Sequence, residues 1–269
     1  MVNPATPITN KKASATTEAS ASAKESNNPV LMNAMRDLLL QGEYSDMTIT
    51  CQGFRFCVHR AILCSQSAFF KAAMNGSFEE GITKTIDLPD DDPETIERVL
   101  AFLYVGDYSP KEHLLDLSTR LLQPDKAKRE SPESSQAPLV AAEDKSTSSN
   151  SNRTITSEGY NHLDVYIAAD KFALDALKSL ASNRLRAWCN DNWQSVAFRK
   201  LVQHATSMNP EPEWDIYLIL GKAISSHAER YVENGTKVPE IFKVSPRISA
   251  IALWYLAREK MFANKSKRK

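Results

Sequence analysis

The stretch "MTITCQGFRFCVHRAILCSQSAFFKAAM", residues 47–74, contains the pattern that decides the fold of this 269-residue chain. Apolar and polar residues alternate over 47–52 and again over 54–58, which is typical of two half-buried strands. Gly53 separates the two runs, so we predict a β-hairpin. Two short apolar runs at helical spacing follow, and they are interrupted around Ser67, whose hydroxyl can cap the second helix.

The same stretch contains Cys57, His59 and Cys64 within eight positions, which raises the question of a zinc site or an activated thiol. On an extended strand Cys57 and His59 would point to the same face, but Cys64 falls more than a turn into the following helix. A fourth metal ligand and a group to orient the imidazole are both missing nearby. The sequence favours structural roles for His59 and Leu63, and a thiol or zinc enzyme stays open as an alternative. We predict no catalytic residue, metal ligand or cofactor.

Further along the chain, end signals define a third strand and a helix. The run 85–88 is predicted as a short strand, and Asp92 is then the expected N-cap of a helix with Pro93 at its first position. Gly106 is the expected C-terminal stop. The apolar residues between them follow the i, i+3, i+4, i+7 pattern: Ile96, Val99, Leu100 and Leu103.

Helical patterns continue after residue 158. Apolar positions between Leu163 and Leu185 predict one or two amphipathic helices, with a break near 170–172. Three further helices are predicted near 193–204, 214–231 and 248–262, and the last of these follows a Ser245-Pro246 start signal.

Two segments contain no aromatic residue, one composed largely of Ala, Ser, Thr and Asn and the other rich in Ser, Pro and charge. Residues 1–28 are predicted to be a disordered arm, and residues from about 111 to 158 to be a disordered insert, because neither can bury enough apolar surface to offset chain entropy. The end of the chain, 263–269, is a basic tail. It is interpreted as a solvated end, with a nuclear signal as the alternative.

Composition limits the classes of partner. Lys plus Arg and Asp plus Glu both number 33, so no global positive charge would attract nucleic acid. No apolar run is long enough to span a bilayer, and we expect no membrane association. The four cysteines are sparse and are expected to be reduced, as in a cytoplasmic or nuclear protein.

Residues 44–109 resemble the BTB/POZ domain, a family that binds proteins and does not catalyse reactions. The resemblance rests on the Ser-Asp before the first strand, on "FCVHRAILCSQSAFF" and on "FLYVGDY". It continues after the insert in "YIAADKFALDALKSLASNRL", residues 166–185. The implied fold is α+β, a small, mostly antiparallel sheet packed on a cluster of helices. The implied domain covers 29–188 with an insert, followed by an all-helical extension over 189–262.

The resemblance also implies contact surfaces. Many family members form homodimers through a helix before the first strand, and here the apolar stripe of that helix is Leu31, Met35, Leu38 and Leu39. Asp46 and Arg60 match the positions of a charged pair at that interface, where an ion pair removed from water needs both partners. Intramolecular packing of the stripe is the alternative.

A subset of the family binds a cullin ubiquitin-ligase scaffold through a hydrophobic–x–acidic signature. "SFEEG" at 77–81 matches it with Phe78 and Glu80, and Met74 is a third candidate contact residue just before the motif. The expected partners are a second copy of the chain, a cullin scaffold and an unidentified substrate or regulatory protein. A transcriptional co-regulator that recruits corepressors is the alternative function. The helical extension resembles the short tails of fungal BTB proteins and would either bind a partner or cap the domain.

Overall fold

The computed structural model describes residues 28–75, 78–115, 150–208, 213–233 and 240–266. Residues 1–27 of the predicted arm, most of the predicted insert and the last residues of the basic tail lie outside these ranges. The described residues form three strands, β1 Met47–Cys51, β2 Phe54–Val58 and β3 Thr85–Asp87. They also form twelve helices: α1 Pro29–Gln41, α2 Arg60–Gln66, α3 Ala68–Asn75, α4 Glu79–Thr83, α5 Pro93–Val105, α6 Asn150–Lys171, α7 Asp175–Asn192, α8 Val196–Ser207, α9 Trp214–Ser226, α10 Ala228–Glu233, α11 Glu240–Val244 and α12 Pro246–Ser266.

The strands form one sheet in the order β2-β1-β3. The predicted hairpin is confirmed, and its two-residue turn places Gln52 and Gly53 at φ of 46° and 84°. The longer pairing, between β1 and β2, is antiparallel as expected, and the shorter pairing, of β3 with β1, is parallel. The helices α2, α3 and α4 lie between the two strands in sequence and carry the chain back to the same end of the sheet, as a parallel pairing requires. The sheet is therefore mixed.

Helix α5 has the ends that the sequence predicts. The Asp92 carboxylate accepts the backbone N–H of Thr95 at 2.8 Å, and Pro93 occupies the first turn. At the other end Gly106 has a φ of 74° and donates its N–H to the Phe102 carbonyl at 2.8 Å. Both ends are set by local chemistry, which explains why the sequence alone could locate them.

Residues on both sides of the insert contribute to one hydrophobic core. The ring of Phe172, at the end of α6, stacks on the ring of Phe70 in α3 with centroids 5.2 Å apart. Ser67 donates its hydroxyl to the Phe172 carbonyl at 2.6 Å and accepts the N–H of Phe70 at 3.1 Å, so it caps α3 as predicted. The predicted break near 170–172 is also present, between α6 and α7.

The predicted edges of the insert, about 111 and 158, differ from the structure. The buried Glu97 carboxylate accepts the N–H groups of Leu114 at 2.6 Å and Leu115 at 3.2 Å, and this holds 111–115 against α5. On the other side α6 begins at Asn150. The contacts with Glu97 join segments that are distant in sequence, which the composition of 111–158 does not reveal.

The helical extension is continuous with the first region. The boundary predicted at 188 falls inside α7, where Trp188 and Cys189 are both buried. At the start of α9, Glu213 accepts a hydrogen bond from the Tyr166 hydroxyl at 2.7 Å and lies 2.8 Å from the Lys178 ammonium. Within the described residues no helix is both long and apolar enough to cross a membrane.

Candidate partner-binding surfaces

His59 occupies the junction between β2 and α2 and is nearly fully buried. Its Nε2 lies 2.6 Å from the Glu43 carbonyl, which can only accept, so Nε2 carries the proton. Nδ1 then accepts from the Tyr104 hydroxyl at 2.7 Å, and the His59 backbone N–H donates to the same hydroxyl oxygen at 3.0 Å. His59 thus joins three segments of the fold, and Leu63, one turn further on, is fully buried.

The cysteines near His59 do not converge on it. Cys64 donates its thiol to the Phe70 carbonyl at 3.5 Å, and burial raises the pKa of that thiol above its ordinary value. A raised thiol pKa lowers the thiolate fraction that nucleophilic chemistry needs. Within the described ranges no group of three or more His, Cys, Asp or Glu residues is placed to hold a metal ion.

The side chain of Asp46 contacts the backbone of Arg60. The Asp46 carboxylate is exposed and accepts the Arg60 N–H at 2.8 Å, which caps the start of α2. The Arg60 guanidinium extends the other way, with Nη2 3.4 Å from the Met74 carbonyl, and its Nε is buried without a hydrogen-bond partner. The pair predicted from the sequence is therefore adjacent, and within this protomer it acts as a helix cap.

The apolar stripe of α1 is divided between core and surface. Leu39 is fully buried, and Met35 and Leu38 are half-buried against the core. Leu31 is 58% exposed, and Val30 beside it is exposed as well. Leu39 is thus unavailable to a partner, because α1 packs its C-terminal half on α5. The sequence pattern missed Val30, which precedes the stripe by one residue.

Helix α4 presents a compact apolar pair. Phe78, at the N-cap of α4, is 67% exposed and Ile82 is 74% exposed. They are four residues apart, so both lie on one face of the helix. Glu79 and Glu80 occupy the first turn, with Glu79 exposed and Glu80 half-buried. The i, i+4 spacing from Phe78 was the sequence signal that could have added Ile82 to the candidate contact residues.

Met74 was predicted to belong to this contact surface, and the structure corrects that prediction. Its side chain is only 3% exposed and belongs to the core beneath α3. Only its carbonyl oxygen contributes a polar contact, to Arg60. The helical spacing of α3 places Met74 on the same inward face as Phe70, four residues earlier, and this determines its burial.

Comparison with known proteins gives one family match. Residues 35–135 match the family model of the BTB/POZ domain, so the match ends within the insert. The segment after the insert that packs against this region, including Phe172, lies beyond the matched range.

Curated relatives match over a similar length. The chain is 32% identical over 78 residues to Kelch-like protein 40 of Xenopus tropicalis, which is 29% of this chain and 13% of that protein. It is 29% identical over 76 residues to TD and POZ domain-containing protein 4 of Mus musculus, covering 28% of this chain and 20% of the relative. Rho-related BTB domain-containing protein 1 of Mus musculus is 28% identical over 78 residues, 29% of this chain and 11% of that protein. The match thus spans a fifth or less of each of these relatives.

Proposed function

We propose that this chain, which contains a BTB/POZ domain, acts as a protein-interaction adaptor that binds itself and other polypeptides through exposed apolar faces. The observation that carries the proposal is the Phe78 and Ile82 pair on α4, since two large apolar side chains face solvent beside an acidic first turn. An exposed apolar anchor with a neighbouring charge is a common plan for a protein interface, the anchor giving affinity and the charge orientation.

The α4 face supports binding to a cullin-type scaffold. Phe78 would insert into an apolar pocket of the scaffold, with Ile82 extending the contact by one helical turn. Glu80 would then pair with a cation at the edge of that pocket. Met74 is left out of this face, because its side chain is buried in the core.

Binding of a purified cullin N-terminal domain, measured by titration calorimetry, tests this proposal. Phe78→Ala and Ile82→Ala should each weaken binding by tenfold or more, as loss of an interface anchor does. Glu80→Lys should weaken cullin binding more at low salt than at high salt, because salt screens the interaction between charges. The matched control is Val196→Ala, an equally exposed apolar residue on α8. Equal affinity of all four variants would remove α4 from the proposal.

Self-association is proposed through the exposed half of α1. Leu31 and Val30 face solvent, and the half-buried Met35 and Leu38 continue the same face toward the core. In a two-fold symmetric dimer, this patch on one protomer would pack against the same patch on its partner. The resemblance adds Asp46, which is exposed beside the Arg60 N–H that it caps, as a candidate residue of the same contact.

Sedimentation equilibrium at micromolar concentration tests the dimer. Leu31→Asp should shift the protein to monomer, because it places a charge in the apolar contact. Val196→Asp, at the first position of α8, is the matched control and should leave the dimer unchanged. A wild-type monomer at these concentrations would contradict the proposal, and so would a dimer that tolerates Leu31→Asp.

A further inference from the structure

The outer face of α12 carries a continuous apolar stripe. Leu253, Trp254 and Met261 are 66%, 51% and 52% exposed, and Ala250 and Ala257 between them are exposed as well. The five residues fall at i, i+3, i+4, i+7 and i+11, which places them on one side of the helix over about 16 Å. We call these five residues the outer stripe.

The opposite side of α12 is already occupied. Ile248, Ile251 and Ala252 are buried against α9, and the contact is close, since a Cβ built on Gly221 would lie 2.5 Å from Ile251 Cγ2. The two helices run side by side in the same direction, with Arg247 near Tyr217 and Tyr255 near Lys222. The outer stripe therefore points away from the core, and α12 is apolar on both sides.

Contiguous exposed apolar side chains of this kind mark contact surfaces, whereas single exposed residues are ordinary. A further exposed aromatic residue lies near the start of α12, because Trp214 at the start of α9 is 54% exposed and lies 5.5 Å beneath the Arg247 guanidinium.

Cations border the outer stripe. Arg258 lies over the Trp254 ring at 5.2 Å on one edge, and the exposed Lys260 lies on the other edge. The carboxylate nearest in sequence, Glu259, points to the α9 side, where it bonds to Lys222. Among the residues of α12 from 250 to 261, the two charges that border the stripe are therefore both positive.

We propose that the outer stripe is the docking site for an amphipathic helix of a different protein, with apolar residues at i, i+3 or i+4, and i+7 flanked by Asp or Glu. The apolar residues would pack on Leu253, Trp254 and Met261, and the carboxylates would pair with Arg258 and Lys260. A second copy of this chain fits poorly, because two such faces would oppose like charges. This surface is independent of α4 and α1.

Selection from a display library of helical peptides against the full chain tests the proposal, with synthetic versions of the enriched peptides titrated afterwards. The enriched sequences should combine the apolar spacing with acidic flanks. Leu253→Asp should reduce their affinity at least tenfold, while Val196→Asp, on α8 away from the stripe, should leave it unchanged. Unchanged thermal unfolding of both variants would show that α12 stays folded.

Reversing the charge sharpens the test. The Arg258→Glu, Lys260→Glu double variant should lose the acidic peptides and enrich peptides with Lys or Arg flanks instead. Enrichment without any charge bias, or peptides that bind Leu253→Asp equally well, would overturn the proposal. Loss of self-association in Leu253→Asp would also overturn the proposal, because the stripe would then be a contact between copies of the chain. Binding of the wild type to vesicles of phosphatidylcholine and phosphatidylserine, without enrichment of helical peptides, would overturn it as well.

Discussion

The region up to α7 and the helical extension beyond it are held together by different means. In the first region polar side chains are turned inward and bonded, as in the His59, Tyr104 and Glu43 contact and the Glu97 contact with Leu114. In the extension, α9 and α12 meet through apolar side chains at close range around Gly221. Directional hydrogen bonds thereby help to fix the first region in one arrangement, whereas the contact between α9 and α12 depends on the close fit of apolar surfaces.

The difference extends to the surface. The first region exposes short apolar pairs at the ends of its helices, such as Phe78 and Ile82. The extension exposes a longer stripe along one helix, bordered by Arg258 and Lys260. The two proposed contact surfaces therefore differ in kind, since α4 offers a small anchor and α12 offers an extended helical face.

The largest effect is expected from Phe172→Ala, which tests whether the two segments of the first region depend on each other. The ring stacks on Phe70 in the buried core, and truncation of a buried Phe costs about 3 to 5 kcal/mol. Urea unfolding should show this loss, while Phe78→Ala at the exposed α4 position should change stability by less than about 0.5 kcal/mol. Similar losses in the two variants would contradict the assigned burial.

Acidification should weaken the first region, where His162 is buried and lies 2.8 Å from the Tyr108 hydroxyl. Burial, together with Arg184 and Arg98, lowers the pKa of His162 from 6.5 to about 4. Between these values the unfolded chain binds a proton that the folded chain does not, so stability present above pH 6.5 is lost as the pH falls toward 4. The loss is at most about 3 kcal/mol.

Asp164 opposes this effect and provides the control. Burial and the nearby Asp92 raise the pKa of Asp164 to about 6, so the folded chain takes up this proton more readily and gains stability on acidification. Asp164→Asn should therefore be more stable than the wild type at neutral pH and lose stability more steeply below pH 6.5. Urea unfolding across this pH range measures how the free energy of unfolding of each protein changes with pH. Parallel curves for Asp164→Asn and the wild type would contradict the raised pKa assigned to Asp164.

A smaller effect, confined to the extension, is expected from Gly221→Ala. The added Cβ would meet Ile251 Cγ2 and lie 3.4 Å from the Ala252 backbone nitrogen, so α12 must shift. Overpacking of this kind costs about 1 to 3 kcal/mol. Hydrogen exchange should show that the amides of α12 lose protection while those of α5 keep it. The control Ser226→Ala, at an exposed position on α9, should leave the protection of both helices unchanged. Equal loss of protection in α5 and α12 would contradict the assignment of this strain to the contact between α9 and α12.

The sequence predicted those features that depend on neighbouring residues. The hairpin at Gly53 and both ends of α5 are set by turn and cap chemistry within a few residues. Ser67 likewise caps α3, and Ser245 precedes α12 as expected, with its hydroxyl 3.4 Å from the Ile248 nitrogen. The short helix α11 before it, Glu240–Val244, was not predicted.

The features that the sequence did not reveal depend on distant contacts. The parallel pairing of β3 is set by the path of three intervening helices, and the burial of Met74 and Leu39 by the segments that cover them. The N-terminal edge of the insert depends on Glu97, which accepts hydrogen bonds from backbone groups 17 and 18 residues away. For the candidate surfaces, the motif named Phe78 and Glu80 and the i, i+4 spacing could have added Ile82, but the burial of Met74 could be seen only in the structure.

Cleavage of the insert tests most directly the central claim, that the segments before and after it close one core on which the binding surfaces are built. A specific protease site placed between residues 123 and 145 would allow the folded chain to be cut and then examined by gel filtration and thermal unfolding. We expect the two fragments to elute together and to unfold in a single transition. Fragments that separate, or that melt in two independent transitions, would contradict the claim.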